Sequence, residues 1–115
     1  MSRDYAELSL EGALPAAEVA QRVTEAINAA RANGDSRLLV RVDRLTGLPS
    51  PSISARHQMI RSWAATSGGV VTIALVARPE HIDPERFGVV TAANFGMRAS
   101  VFDNEADAVE WLRAQ

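Results

Sequence analysis

The sequence contains no cysteine and no lysine, and only six of its 115 residues are aromatic: three Phe, two Trp and one Tyr. Without cysteine, the chain can form no disulfide, offer no thiolate ligand to a metal and use no cysteine nucleophile. No apolar run approaches the roughly 20 residues that a membrane span needs, so membrane insertion is not expected. The amino terminus, "MSRDYAELSL", lacks the charged-then-apolar layout of an export signal, which favours a cytoplasmic protein.

The charge pattern also narrows the choice of partners. All 12 basic residues are arginines scattered along the chain, and the net charge is −2. Because no basic block is present, a nucleic-acid partner is not expected. The apolar fraction of 47% and the charged fraction of 23% are typical of a folded globular protein. The length suits one domain, which we place at residues 1–115.

Strand-like and helix-like patterns alternate along the chain. The segment "YAELSL" alternates apolar and polar residues, as a half-exposed strand does. "GVVTIALVA" is almost entirely apolar, which is typical of a strand buried on both faces. The predicted strands are 5–10, 37–43, 69–77 and 98–102, and the predicted helices are 15–33, 51–66, 83–96 and 104–115.

The helices are recognised by their apolar stripes and by their end residues. Pro15 suits a first helical turn and Gly34 a helix end. Asp83 is a cap for the third helix, and either Asp103 or Asn104 caps the fourth. The residues predicted to face inward are Val19, Val23, Ala26, Ile27 and Ala30 in the first helix and Ala108, Val109 and Leu112 in the last.

The alternation βαβαβαβα predicts an α/β domain with a four-stranded, mainly parallel sheet. The first and fourth strands are amphipathic and belong at the edges, whereas the two apolar strands belong in the centre. The simplest sheet that satisfies this has the strand order 1-2-3-4, a βα superhelix with helices on both faces.

Polar residues follow the two central strands. Ligands of parallel sheets bind at the carboxyl ends of the strands. The candidate ligand-binding residues there are Asp43, Thr46, Arg78 and His81. A simple pairing of Asp43 with Arg78 explains the same pattern, and we favour that structural interpretation.

Three serines at alternate positions, Ser50, Ser52 and Ser54, precede the second helix. Ser50 stands before a proline, as an N-cap does, and is interpreted as the cap. Ser52 then lies among the free N–H groups of the first turn, with Arg56 one turn on. A phosphate or a bound anion would be stabilised there, so these four residues form a candidate phosphoacceptor or anion-binding loop. Capping alone accounts for the serines, and it is the favoured interpretation.

The sequence does not predict an enzyme, a metal site or a cofactor. His57 and His81 have no third ligand at a suitable spacing, and zinc needs three or four. A triad could be drawn from Ser52, His81 and Asp43, but no "GxSxG" elbow is present to expose the nucleophile. No glycine-rich phosphate loop precedes a helix.

The strand "LLVRVD", the serine-bearing helix start and the ending "VFDNEADAVEWL" resemble the SpoIIAA-like (STAS-like) superfamily. The ending is similar to that of small bacterial STAS/SEC14-type proteins. The resemblance covers most of the chain and implies the βα superhelix. In the anti-sigma-factor antagonists of this superfamily, a serine of a "DSSG"-type loop is phosphorylated by a partner kinase. Ser52 falls near that position, in a "PSPSIS" segment that lacks the acidic residue and the glycine.

We therefore expect a non-enzymatic STAS-like domain that acts through protein contacts, in bacterial signalling or regulation. Its contact surfaces would be the exposed sides of strands one and four and the loop at 44–54. The expected partner is an unidentified protein, or a second copy of the chain in a homodimer. The alternative is a domain that binds a small molecule, an anion or a lipid-like ligand at the strand ends; a hydrolase is the third candidate.

Overall fold

The structure is a computed structural model, which describes residues 5–46, 61–78, 96 and 98–115. The predicted third helix, 83–96, lies outside the described residues apart from Gly96, and so does the first part of the second, 51–60. Among the described helices, none is long and apolar enough to cross a membrane. The described elements are β1 (Ala6–Gly12), α1 (Ala16–Asn33), β2 (Arg37–Leu45), α2 (helical residues 61–67), β3 (Thr72–Val76), β4 (Ala99–Phe102) and α3 (Glu105–Arg113).

The four strands form one parallel sheet in the order β1-β2-β3-β4, which confirms the predicted fold class and strand order. β2 pairs with both of its neighbours, so that Leu38 stands opposite Ala6 of β1 and Ile73 of β3. Leu38, Leu39 and Val40 are at most 1% exposed, because this strand is covered on both faces. The apolar strands occupy the centre and the amphipathic strands the edges, as their patterns predict.

α1 and α2 cover one face of the sheet. Val23 and Ile27 of α1 are buried against Leu38 and Val40 of β2. Trp63 of α2 joins the same cluster, and its indole Nε1 donates a hydrogen bond of 3.2 Å to a backbone carbonyl of α1. This face therefore carries the larger part of the described core.

α3 covers the opposite face, which confirms the prediction of helices on both sides. Ala108 and Leu112 are fully buried and pack on Leu39 of β2 and on Ala74 and Val76 of β3. Val109, predicted to face inward, is half-buried and packs against this cluster from its margin. One nine-residue helix thus provides the described cover of this face.

The ends of α1 match the sequence prediction at one end and differ at the other. Pro15 occupies the N-cap position with φ −63° and ψ 150°, and the helix begins at Ala16, so the prediction that Pro15 lies in the first turn is wrong. Its extended ψ angle is the reason, since an N-cap residue is not yet helical. Gly34 ends the helix as predicted: its φ of 80° lies in the left-handed region, and its N–H reaches the carbonyls of Ala30 and Arg31.

Three strand boundaries differ from the predicted ones by two residues or more, and the first is the end of β1, at Gly12 rather than at residue 10. β2 continues to Leu45, two residues beyond Asp43, because Leu45 is buried and pairs with Gly12 of β1. β3 begins at Thr72 rather than at residue 69. Both residues of the glycine pair 68–69 have positive φ and form a turn, which delays the start of the strand.

The cap of α3 is Asn104 rather than Asp103. Its side-chain carbonyl oxygen accepts a hydrogen bond of 2.8 Å from the backbone N–H of Asp107. Such a bond satisfies one of the N–H groups that the first turn leaves without an intrahelical partner. The alternative that the sequence leaves open is thereby resolved.

Candidate functional site at the carboxyl end of the sheet

Three of the predicted site residues are described, and they lie together. Asp43 lies near the carboxyl end of β2, and Thr46 directly follows that strand. Arg78 comes two residues after the end of β3. Since β2 and β3 are parallel neighbours, their carboxyl ends share one edge of the sheet. The remaining candidates lie outside the described residues, and their roles stay predictions: Ser50, Ser52, Ser54, Arg56 and His81.

Arg78 and Asp43 are in contact, but not as two opposite charges. The Nε of Arg78 donates a hydrogen bond of 2.9 Å to the backbone carbonyl of Asp43. Both residues are half-buried. The bond ties the segment after β3 to the end of β2, and the carboxylate of Asp43 is directed to a different arginine.

That arginine is Arg41, two residues earlier on the same strand. Its Nε and Nη2 lie 3.3 and 3.0 Å from the two carboxylate oxygens of Asp43. Residues two apart on a strand project from the same face, so the guanidinium can approach the carboxylate with two of its nitrogens. The two side chains are 17% and 25% exposed, which shields the pair partly from water.

Arg41 also reaches α3. Its Nη1 lies 3.4 Å from a carboxylate oxygen of Glu105, the first residue of that helix. One guanidinium therefore joins β2 to the beginning of the helix that covers this face. Arg41, Asp43 and Glu105 are called the Arg41 cluster below.

The contacts around Arg41 and Asp43 change the pKa of both side chains. Burial raises the pKa of Asp43, but the hydrogen bond and charge of Arg41, a backbone hydrogen bond and the charge of Arg44 together outweigh it, so the pKa lies below the usual value. The hydrogen bond to Asp43 raises the pKa of Arg41 against the opposing effect of burial, and the charges of Asp43, Glu105 and Glu7 add to the rise. Arg41 and Asp43 are therefore both charged at neutral pH.

Thr46 lies at the point where the chain leaves the sheet. Its side chain is exposed, and its backbone N–H donates a hydrogen bond of 2.9 Å to the carbonyl of Gly12, at the end of β1. The backbone at this position is thus fixed while the side chain faces solvent. Thr46 is the last described residue of the predicted contact loop, 44–54.

Arg41 and Glu105 are absent from the sequence-based candidates. The spacing of Arg41 and Asp43 places both on one face of a strand, and this signal could have identified the pair. No comparable signal identifies Glu105, which lies 64 positions along the chain and reaches Arg41 only because α3 docks on this face.

A second feature of the described surface is an open groove of about 590 Å³ beside α3. The guanidinium carbon of Arg113 stands 5.9 Å from the ring centre of Tyr5, at the foot of β1. Glu105 belongs both to this groove and to the Arg41 cluster. The residues that line the groove, called the β1–α3 groove below, are Tyr5, Glu105, Ala106, Val109, Glu110 and Arg113.

Within the described ranges, no group of three or more His, Asp or Glu side chains is arranged to hold a metal ion. Comparison of the chain with protein-family models, with curated proteins and with solved structures gives no match in any of the three.

Proposed function

We propose that the chain is a STAS-like protein-interaction domain without catalytic activity, acting in the cytoplasm of a bacterium as a signalling or regulatory module. The observation that supports this proposal best is the strand order: four parallel strands stand in chain order, as in a βα superhelix. The sequence resemblance to the SpoIIAA-like superfamily implies the same arrangement. Protein contact is the role that this resemblance implies.

The carboxyl end of the sheet suits a docking surface. The guanidinium of Arg78 and the carboxylate of Asp43 both make hydrogen bonds within the protein, which fix the ends of β2 and β3. Thr46, on the same edge, is exposed on a fixed backbone. Thr46 and the strand ends beside it can therefore meet a partner with little loss of conformational freedom on binding.

The proposal is tested by affinity capture from the source cytoplasm, followed by mass spectrometry. The bait is the whole chain, as the wild type and as Thr46→Arg, which places a bulky charge at the start of the loop. The matched control is Gln21→Arg, which adds the same charge at an exposed position of α1. We expect the wild type and the control to capture a protein partner that Thr46→Arg loses. A chain that captures nothing, or three baits that capture the same set, would contradict the proposal.

A second candidate, binding of an anion or lipid-like ligand, is favoured by one observation. Arg78 brings a guanidinium to the carboxyl ends of the strands, where ligands of parallel sheets bind. Titration of the labelled chain with inorganic phosphate and with a fatty acid, followed by NMR, tests this. Saturable shifts centred on Thr46 and Arg78 would favour the ligand-binding function over the interaction function.

A further inference from the structure

Among the elements that the structure describes, α3 closes only part of the face of the sheet on which it packs. α3 packs over β2, β3 and β4. A helix is about 10 Å wide, whereas the outer strands of a four-stranded sheet lie about 14 Å apart, so one helix cannot reach across all four. On this face the exposed residues of β1 are Glu7, Ser9 and Glu11.

The polar row of β1 and the β1–α3 groove form one surface. Glu7 stands opposite Leu39, which lies beneath α3, so the row runs along the side of the helix. Tyr5 and Val109 are half-buried at the floor of the groove. Glu110 on α3 and Glu7 and Glu11 on β1 place carboxylates along both sides.

Two arginines of the chain show which chemistry this surface accepts. The guanidinium of Arg113 stands beside the ring of Tyr5 at 5.9 Å, within the range of a cation–π contact. The guanidinium of Arg41 binds Glu105 at 3.4 Å. An aromatic ring and carboxylates around a groove are the two groups that bind arginine side chains.

We propose that the β1–α3 groove binds an extended, arginine-containing segment of a partner protein. The inference rests on the proposed function, since it names the chemistry of the partner. A second copy of the chain fits the surface less well, because its β1 and α3 would bring carboxylates against carboxylates. An extended segment fits because alternate side chains of a strand point the same way, with the same spacing as the row of Glu7, Ser9 and Glu11 on β1.

The test is an NMR titration of the assigned full-length chain with an octapeptide in which arginine alternates with alanine. We expect binding with a Kd of about 0.1–1 mM, with shifts centred on Tyr5, Ala106 and Glu110. The same peptide with glutamate in place of arginine should give none of these shifts. Glu110→Gln and Ser9→Arg should each weaken binding about two- to fivefold. The matched control Glu25→Gln, on the opposite face, should not change the affinity.

Four results would overturn the inference. The first is an absence of shifts with the arginine peptide, and the second is equal binding of the glutamate peptide. The third is an equal loss of affinity in Glu25→Gln and Glu110→Gln. The fourth is a set of groove shifts that depend on protein concentration alone, which would identify a second copy of the chain as the occupant. The outcome is separable from that of the capture experiment. A captured partner that Glu110→Gln retains refutes only the groove, whereas arginine-peptide binding without any captured partner refutes only the proposed function.

Discussion

The Nε of Arg78 donates a hydrogen bond to the backbone carbonyl of Asp43, 35 residues earlier in the chain, at 2.9 Å. A residue that sequence analysis places in a ligand site therefore has a structural role in the fold. The bond closes the edge of the sheet at which the proposed contact loop begins.

Replacement of Arg78 by alanine should lower the free energy of unfolding by about 1 kcal/mol, because the half-buried carbonyl of Asp43 loses its charged donor. For a domain of this size the melting temperature should fall by about 4 °C. Thermal melts followed by circular dichroism measure the change. Arg22→Ala, which removes an exposed pair with Glu18, is the control and should change stability by less than about 0.5 kcal/mol. Equal losses in the two variants would refute a special role for Arg78.

Replacement of Asp43 by asparagine should destabilise the protein by about 1 kcal/mol at neutral pH, because Arg41 loses its principal carboxylate. Asp43 has a lowered pKa in the folded protein, so its stabilising effect is complete above the unfolded value of about 3.9 and is lost as the pH falls through the folded value. The difference between wild type and variant should therefore be constant near pH 7 and shrink below about pH 4.

Urea denaturation at a series of pH values checks this dependence. The exposed control Glu25→Gln should track the wild type throughout. A difference between Asp43→Asn and wild type that is unchanged at the lowest pH would contradict the assigned pair.

Replacement of Asn104 by alanine should cost about 1 kcal/mol, since the N–H of Asp107 loses its acceptor at the start of α3. The same change at Asn28, an exposed position inside α1, should be neutral or slightly stabilising, because alanine is the best helix former. Thermal melts should show a lower melting temperature for Asn104→Ala and an unchanged or slightly higher one for Asn28→Ala. If both variants melt like the wild type, Asn104 is not an effective cap.

The serine segment is predicted from sequence alone. Ser50→Ala should cost about 0.5–2 kcal/mol if Ser50 is the cap of the second helix, and Ser52→Ala should cost little. A phosphate on Ser52 would add about two negative charges to the contact loop, and phosphopeptide mass spectrometry of growing and starved cells would detect it. The reverse order of stabilities would show that the cap is assigned to the wrong serine. Lack of phosphate, together with identical partners for Ser52→Asp and wild type, would exclude the switch.

The absence of catalysis is also testable. A broad panel of ester, phosphoester and peptide substrates should show no turnover above that of a heat-denatured sample. Turnover that disappears in Ser52→Ala or His81→Ala would refute the proposal and favour a hydrolase instead.

The strand order could be predicted because burial leaves a direct trace in the sequence. Leu38, Leu39 and Val40 are consecutive and apolar, which is typical of a strand covered on both faces, whereas β1 alternates. The end of α1 at Gly34 followed in the same way from local chemistry, whereas the sequence left Asp103 and Asn104 as alternatives for the cap of α3.

The rest depends on contacts between distant segments. β2 reaches Leu45 because that residue pairs with Gly12 and packs on α1, and neither partner is adjacent in sequence. Arg41 pairs with Glu105 only because α3 docks on the face of the sheet from which Arg41 projects. The β1–α3 groove exists because α3 leaves β1 uncovered on that face. Local sequence patterns do not show on which face α3 docks or how much of the sheet it covers.

Because spatial and chain order coincide in the sheet, no strand has to insert between two that are already paired. A chain made from its amino terminus can add β2 to β1 and then β3 to β2 as each is synthesised. α3 is synthesised last. Until then, the residues on which it packs lack its cover: Leu39, Ala74 and Val76. Ribosome-bound chains that end before residue 105 should therefore bind chaperones or hydrophobic dyes, and the release of both should coincide with the emergence of α3.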